Sequence, residues 1–206
     1  MDIRQDFITV NKYSRPGKKR PETLGAVVHW TENPGTDAQF TRDFFEDLKY
    51  GIASYLDPKK KWYGSAHYAI GIGGEVVQIM PENEVAYHVG SLTYTQAAKD
   101  AFGKYCADPY KTSPNFCTVG VELCHPDWSG KFTDKTLEAA VELFADICYR
   151  HNIRTTYLFR HYDITGKNCP KWFVEEEKEF DKFQLEVTRT IRAMYEYMKR
   201  YRGTIV

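Results

Sequence analysis

Residues 24–50 read LGAVVHWTENPGTDAQFTRDFFEDLKY, and a change of period inside this stretch decides the fold class. Leu24 to Trp30 is a short apolar run rich in valine, which reads as a buried strand that ends at His29. TENPG follows as a loop. Thr36 or Asp37 then caps a helix whose expected apolar face is Phe40, Phe44, Phe45 and Leu48. Further along, SAHYAIGIGGEVVQIMP (65–81) predicts two strands joined by a tight turn at Gly73-Gly74. FCTVGVELCHP (116–126) predicts another buried strand that ends at Pro126. TDKTLEAAVELFADICYRHNI (133–153) carries Leu137, Val141, Phe144 and Ile147 at helical spacing behind a Thr133 cap. TTYLFRH (155–161) is a short strand that delivers His161. A second long amphipathic helix is expected over about 175–200.

Strands that alternate with helices give an α/β fold: a central mixed β-sheet flanked by helices. Ligands in such folds sit beyond the strand ends, and His29 and His161 both lie there. Residues 91–116 read as a polar, turn-rich insertion with a short helix near Gln96 to Phe102. The 206 residues contain no internal repeat or linker and are read as one domain, 1–206, with its motifs in about 24–172.

Composition narrows the function. Hydrophobic residues are 42% and charged residues 27%, a globular balance. The formal net charge is zero, so no broad basic field draws in nucleic acid. The local patch GKKRP, Gly17 to Pro21, reads as a solvated loop. There is no run of about 18 apolar residues, so no membrane insertion is expected. MDIRQDFITV lacks the basic start and apolar stretch of a secretory signal. The expectation is synthesis in the cytoplasm, with release by another agent if the target lies outside. Aromatics reach 15%, and surplus tyrosines suit either a core or a groove for sugars and peptides.

Five cysteines, an odd number with no CxxC pair, argue against a disulfide framework and a four-cysteine zinc site. Cys148, on a helix, and Cys124, on a strand, read as core. Cys169 lies in the polar loop of FRHYDITGKNCPKW (159–172) and is harder to explain as packing. Imidazole and thiolate are both zinc ligands, and a catalytic zinc takes three protein ligands and leaves one position open. His29, His161 and Cys169 supply such a set if the loop curls back, with Gly166 to bend it and Pro170 to stiffen its exit. Spacing alone leaves the alternative open: His161 satisfied in the core and Cys169 a loop thiol.

VVHWTE (27–32), SAHYAI (65–70), AYHVG (86–90), VGVELC (119–124) and RHYDITGKNCP (160–170) together resemble the zinc-dependent N-acetylmuramoyl-L-alanine amidases. That family also holds phage lysins and peptidoglycan recognition proteins. ITVNKYSRPGKK and YHVGSLTY look most like the endolysins of phages and prophages of Gram-positive bacteria. The resemblance implies one Zn2+ on His29, His161 and Cys169, with Glu122 as the catalytic glutamate and Lys167 as the lysine that stabilises the oxyanion. One departure is Ala66, where some members carry a tyrosine; Tyr68, on the other side of His67, does not inherit that role.

The implied reaction is hydrolysis of the amide between N-acetylmuramic acid and L-alanine in peptidoglycan, by a monomeric endolysin or autolysin that breaks down cell wall. His88 is a candidate for the substrate wall or a transition-state hydrogen bond, against a structural role. His67, Trp30 and Tyr87 are weighed between substrate contact and core, as is Trp172. His151, near a helix C-terminus, and His125 read as structural or rim. The alternatives are a non-catalytic peptidoglycan-binding module, which typically lacks the cysteine ligand, a regulatory member that binds another protein, or a different zinc hydrolase such as a deacetylase. Many lysins carry a separate wall-binding module; here the expectation is that either none exists or it lies beyond the closing YRGTIV.

Overall fold

The computed structural model describes residues 1–54 and 57–202; YRGTIV therefore lies largely outside the described residues. Among these, six strands form one sheet: β1 (Ile3–Gln5), β2 (Gly25–Trp30), β3 (Tyr68–Ile70), β4 (Val76–Gln78), β5 (Thr118–Leu123) and β6 (Leu158–Arg160). Their order is β1-β4-β3-β5-β2-β6. All neighbours run parallel except β3 and β4, so the sheet is mixed, as expected. The β3–β4 turn is closed by Gly74 N–H donating to the Gly71 carbonyl at 3.0 Å. Gly74 sits at φ 85°, where a side chain would be strained.

Alternation along the strands divides the residues between two faces. Ala26, Val28 and Trp30 of β2 and Val119, Val121 and Leu123 of β5 share one cluster with α3 (Asp134–His151) and α6 (Glu177–Arg202). The intervening residues, Val27 and His29 of β2 with Thr118, Gly120 and Glu122 of β5, face the other way. There α1 (Ala38–Asp47) covers Ala69 and Val77, while α2 (Gln96–Phe102) packs against Val27. The two patches leave an opening between them at the carboxyl ends of β2 and β5.

The helices start where the sequence supplies caps. Asp37 accepts from the Phe40 N–H at 2.7 Å, and Thr133 accepts from the Thr136 N–H at 3.1 Å. Each such cap contributes about 1 kcal/mol. The long helix α6 is held by Phe180, Phe183 and Val187, and Phe180 and Phe183 pack their rings against Phe173. Phe173 belongs to α5 (Lys171–Glu175), a short helix with no period to announce it.

Two expectations fail here. The helical spacing puts Phe40 on the apolar face of α1, yet it is 51% exposed. Ala38, Thr41 and Phe45 are buried instead, because the start of α1 overhangs the opening. GKKRP is not wholly solvated either: Arg20 is buried and its guanidinium Nε donates to the Glu82 carbonyl at 2.7 Å. Cys124 and Cys148 are core, as expected.

Candidate active site

Parallel pairing of β2 with β5 sets His29 directly against Glu122, with both side chains on the open face. His161 arrives from β6 as the first residue of α4 (His161–Thr165). Asp163 accepts from the Arg160 N–H at 2.8 Å and fixes the start of that turn. Gly166, at φ 82°, ends it in the left-handed conformation. The chain then folds back until the Tyr162 N–H donates to the Cys169 carbonyl at 3.0 Å, which carries the thiol to His161. The loop therefore curls as its glycine suggested.

The donor atoms of His29, His161 and Cys169 lie within 4.8 Å of one another. His29 turns Nδ1 toward Cys169 Sγ, 3.7 Å away, and its ring lies edge-on to His161 with centroids 4.8 Å apart. Burial, with His161, His88 and Lys167 nearby, holds His29 well below the ordinary imidazole range. Burial and Lys167 lower His161 to about 3. Both rings are thus neutral, with lone pairs free to ligate. Burial and Glu122 push the Cys169 thiol far up. Burial likewise raises Glu122 to about 8, with Lys167 pulling it down and Glu32 pushing it up. Glu122 is half-buried, and its Oε2 is enclosed without a hydrogen-bond partner. These features fit a bound cation. Positive charge among the three donors favours thiolate and carboxylate and offsets the burial of both.

Lys167 reaches the rim of the opening and pairs with Glu32 at 3.2 Å. Burial works against its charge, but Cys169, Glu32 and Glu122 outweigh it and its pKa is raised. Glu32 itself holds φ 53°, an unusual conformation for a side-chain-bearing residue. Sequence reasoning did not single it out; the family motif VVHWTE contains it, but the pairing spans 135 positions.

The opening continues as a groove of about 1330 Å³ whose wall includes Phe40, Phe44, Trp62, Tyr63, Tyr87 and Trp128. Tyr87 is half-buried there, beside Tyr63. Trp30 touches the groove but is 7% exposed and stacks on His125. His67 stands apart from the groove lining. It is fully buried, accepts from the Gly120 N–H at 3.0 Å and meets the Glu84 carbonyl at 3.0 Å through Nε2. Both of its nitrogens serve the backbone. His88 lies at the floor, 3.0 Å from His29. Trp172 packs on Phe132 and Phe173, behind the sheet. His151 binds Glu82 at 2.6 Å, and His125 meets the Asp127 carbonyl at 2.7 Å. No described helix is long and apolar enough to cross a membrane.

Comparison with known proteins agrees with this geometry. The sequence profile described as N-acetylmuramoyl-L-alanine amidase matches residues 19–172. The chain is 34% identical over 183 residues to the N-acetylmuramoyl-L-alanine amidase CwlL of Bacillus licheniformis, covering 89% of this chain and 46% of that protein. It is 33% identical to the amidase BlyA of Bacillus subtilis, covering 88% of this chain and 45% of that protein. The chain thus spans about half the length of these curated relatives. Among solved structures, the catalytic domain of XlyA superposes with a TM-score of 0.64 at 24% identity, covering 91% of this chain and 99% of that one. A mutant endolysin from Bacillus subtilis gives 0.63 at 22%, with the same coverage. At such identities the superpositions establish the fold.

Proposed function

The chain belongs to the N-acetylmuramoyl-L-alanine amidase family, and from that premise we propose that it hydrolyses the amide between the lactyl carbonyl of N-acetylmuramic acid and L-alanine in peptidoglycan. The observation that carries this reading is the convergence of His29, His161 and Cys169 within 4.8 Å, beside the unpartnered Oε2 of Glu122 in one groove.

His29, His161 and Cys169 would hold one zinc ion, and three protein ligands match the catalytic pattern that leaves a position open. Bound there, the ion would supply a water whose pKa is lowered towards ~7 and a Lewis acid for a carbonyl oxygen. Glu122 takes the proton of the attacking water and passes it to the departing amine of L-alanine. Its free Oε2 leaves a lone pair for that transfer. Lys167 gives its ammonium to the oxygen that gains charge on the attacked carbonyl. In the free protein Glu32 holds that ammonium near the rim, so the charge is in place before substrate arrives. The aromatic wall suits sugar rings and an extended stem peptide, and Tyr87 contributes from its inner edge, whereas the Trp30 ring packs into the core behind the sheet rather than meeting substrate. His67 supports the floor through Gly120 rather than meeting substrate.

We read the chain as the catalytic part of a phage or prophage endolysin, or an autolysin, that acts on cell wall after release and causes lysis. It works as a monomer, without nucleic acid and without membrane insertion. The rival reading, a non-catalytic wall binder, is disfavoured because Cys169 stands in place with the two histidines. The test is hydrolysis of purified peptidoglycan by wild type, chelator-treated protein and Glu122→Gln. Wild type should cut, chelation should stop it, and zinc should restore it. Glu122→Gln should keep its metal and lose about a hundred- to ten-thousandfold in rate. Binding of wall fragments with no bond cut by any of them would establish the rival.

A further inference from the structure

His88 has no free hydrogen-bonding atom to offer a substrate. Its ring is 7% exposed, and both nitrogens are engaged. Nδ1 lies 3.0 Å from Nε2 of His29, and Nε2 lies 3.2 Å from the Thr118 hydroxyl. The Thr118 hydroxyl in turn lies 2.7 Å from the Pro114 carbonyl. A carbonyl oxygen cannot donate, so a contact this short requires the hydroxyl to donate to it. For a neutral His88 ring, that assignment fixes the rest of the chain of bonds. Thr118, having spent its proton, accepts from the Nε2–H of His88. His88 Nδ1 is then a bare lone pair and accepts from the Nε2–H of His29. His29 is left with Nδ1 unprotonated, on the side where Cys169 stands.

We infer that His88 is a positioning residue which locks His29 in the tautomer that presents Nδ1 to a metal ion. This rests on the reading of His29 as a metal ligand. The site for His88 is built from several directions. Asn115 Oδ1 accepts from the backbone N–H of His88 at 3.0 Å and of Val89 at 2.8 Å, which clamps the segment. Gly120 lies directly against the ring: a Cβ there would stand 2.6 Å from His88 Cγ and Nδ1. The His29 and His88 rings meet edge-on, at 82°, with centroids 5.2 Å apart. A ligand whose second nitrogen donates to a fixed acceptor is held in one orientation and one protonation pattern, and loss of such a partner typically costs about 10–100-fold in metal affinity.

The experiment has two arms on the full chain. Long-range proton–nitrogen NMR of metal-free wild type should show His29 protonated on Nε2, with Nδ1 bare. Zinc affinity should fall about 10–100-fold in His88→Phe, which keeps a ring but offers no acceptor. His88→Asn, whose Oδ1 can replace Nδ1, should recover most of that loss. A His29 protonated on Nδ1, a folded His88→Phe with wild-type zinc affinity, or an Asn variant as weak as the Phe variant would each overturn the inference. If His88→Phe does not fold, the tautomer in wild type decides alone. If wild type takes up no zinc, the metal reading fails, and the tautomer measurement still reports on the relay.

Discussion

Gly120→Ala is a change of one methyl group that the structure makes costly. In an ordinary strand the substitution stabilises by about 0.4–1 kcal/mol, because alanine restricts the unfolded chain. Gly120 is not in the left-handed region, so backbone strain does not enter. Space decides instead. The new Cβ would meet His88 Cγ and Nδ1 at 2.6 Å and Cδ2 at 3.0 Å. These are the near atoms of a ring whose backbone is pinned by Asn115 and whose far nitrogen is held by Thr118. The ring cannot swing away without breaking its contacts to His29 or Thr118. Overpacking of this kind costs about 1–3 kcal/mol, and each hydrogen bond lost adds about 1 kcal/mol. Net of the entropic gain, the expected destabilisation is about 1–3 kcal/mol. For a chain of this size that lowers the melting temperature by about 2–4 °C per kcal/mol. Urea unfolding at pH 7 measures the first quantity and zinc titration the companion effect on His29. A Gly120→Ala protein as stable as wild type, with unchanged zinc affinity, would refute the packing argument.

Cys169→Ala should lose most bound zinc by elemental analysis, since it leaves two of three ligands. Lys167→Ala should keep zinc and fold but lower the turnover rate about a hundred- to thousandfold, read at saturating substrate. Glu82→Gln should destabilise at pH 7 by about 2–3 kcal/mol in urea, between exposed pairs at ~0–1 and buried ones at ~3–5 kcal/mol. Burial alone would raise the Glu82 carboxyl, but Arg150 and His151 outweigh it and hold it well below the ordinary 4.5. Its stabilising effect is therefore present above that value and lost as pH falls below it. The difference between wild type and Glu82→Gln should shrink in acid.

Periodicity and punctuation made the centre of the fold legible. The valine-rich run of β2, the Thr133 cap of α3 and the glycine turn after β3 are local signals, and each element forms where its signal lies. β1 gave no such signal: two of its three residues are exposed, and it is a strand only because it pairs with β4. Arg20 looked like solvated charge because its burial depends on the Glu82 carbonyl, 62 positions away. Phe40 fitted the helical stripe, yet the groove removes the partner that stripe would need.

The site divides in the same way. His29, His161 and Cys169 were readable as a soft donor set at strand ends, and the structure brings their donor atoms together. Glu122 and Lys167 came from family resemblance, and the pairing of Glu122 with His29 is a matter of register between two strands far apart in sequence. The hydrogen bonds of His88 and His67 were invisible, because a histidine's partners are set by tertiary packing and its residue type fits many roles. Glu32 was missed because neither its ion pair nor its left-handed backbone has a signature in one sequence.

End-group analysis of digested peptidoglycan reads out which bond the protein cuts. Purified cell wall is incubated with the protein, and newly exposed amines and reducing sugars are labelled and identified. N-terminal alanine should appear with time, no new reducing ends should form, and chelation should abolish the release. New reducing ends, or new amino termini from residues other than alanine, would overturn the amidase reading.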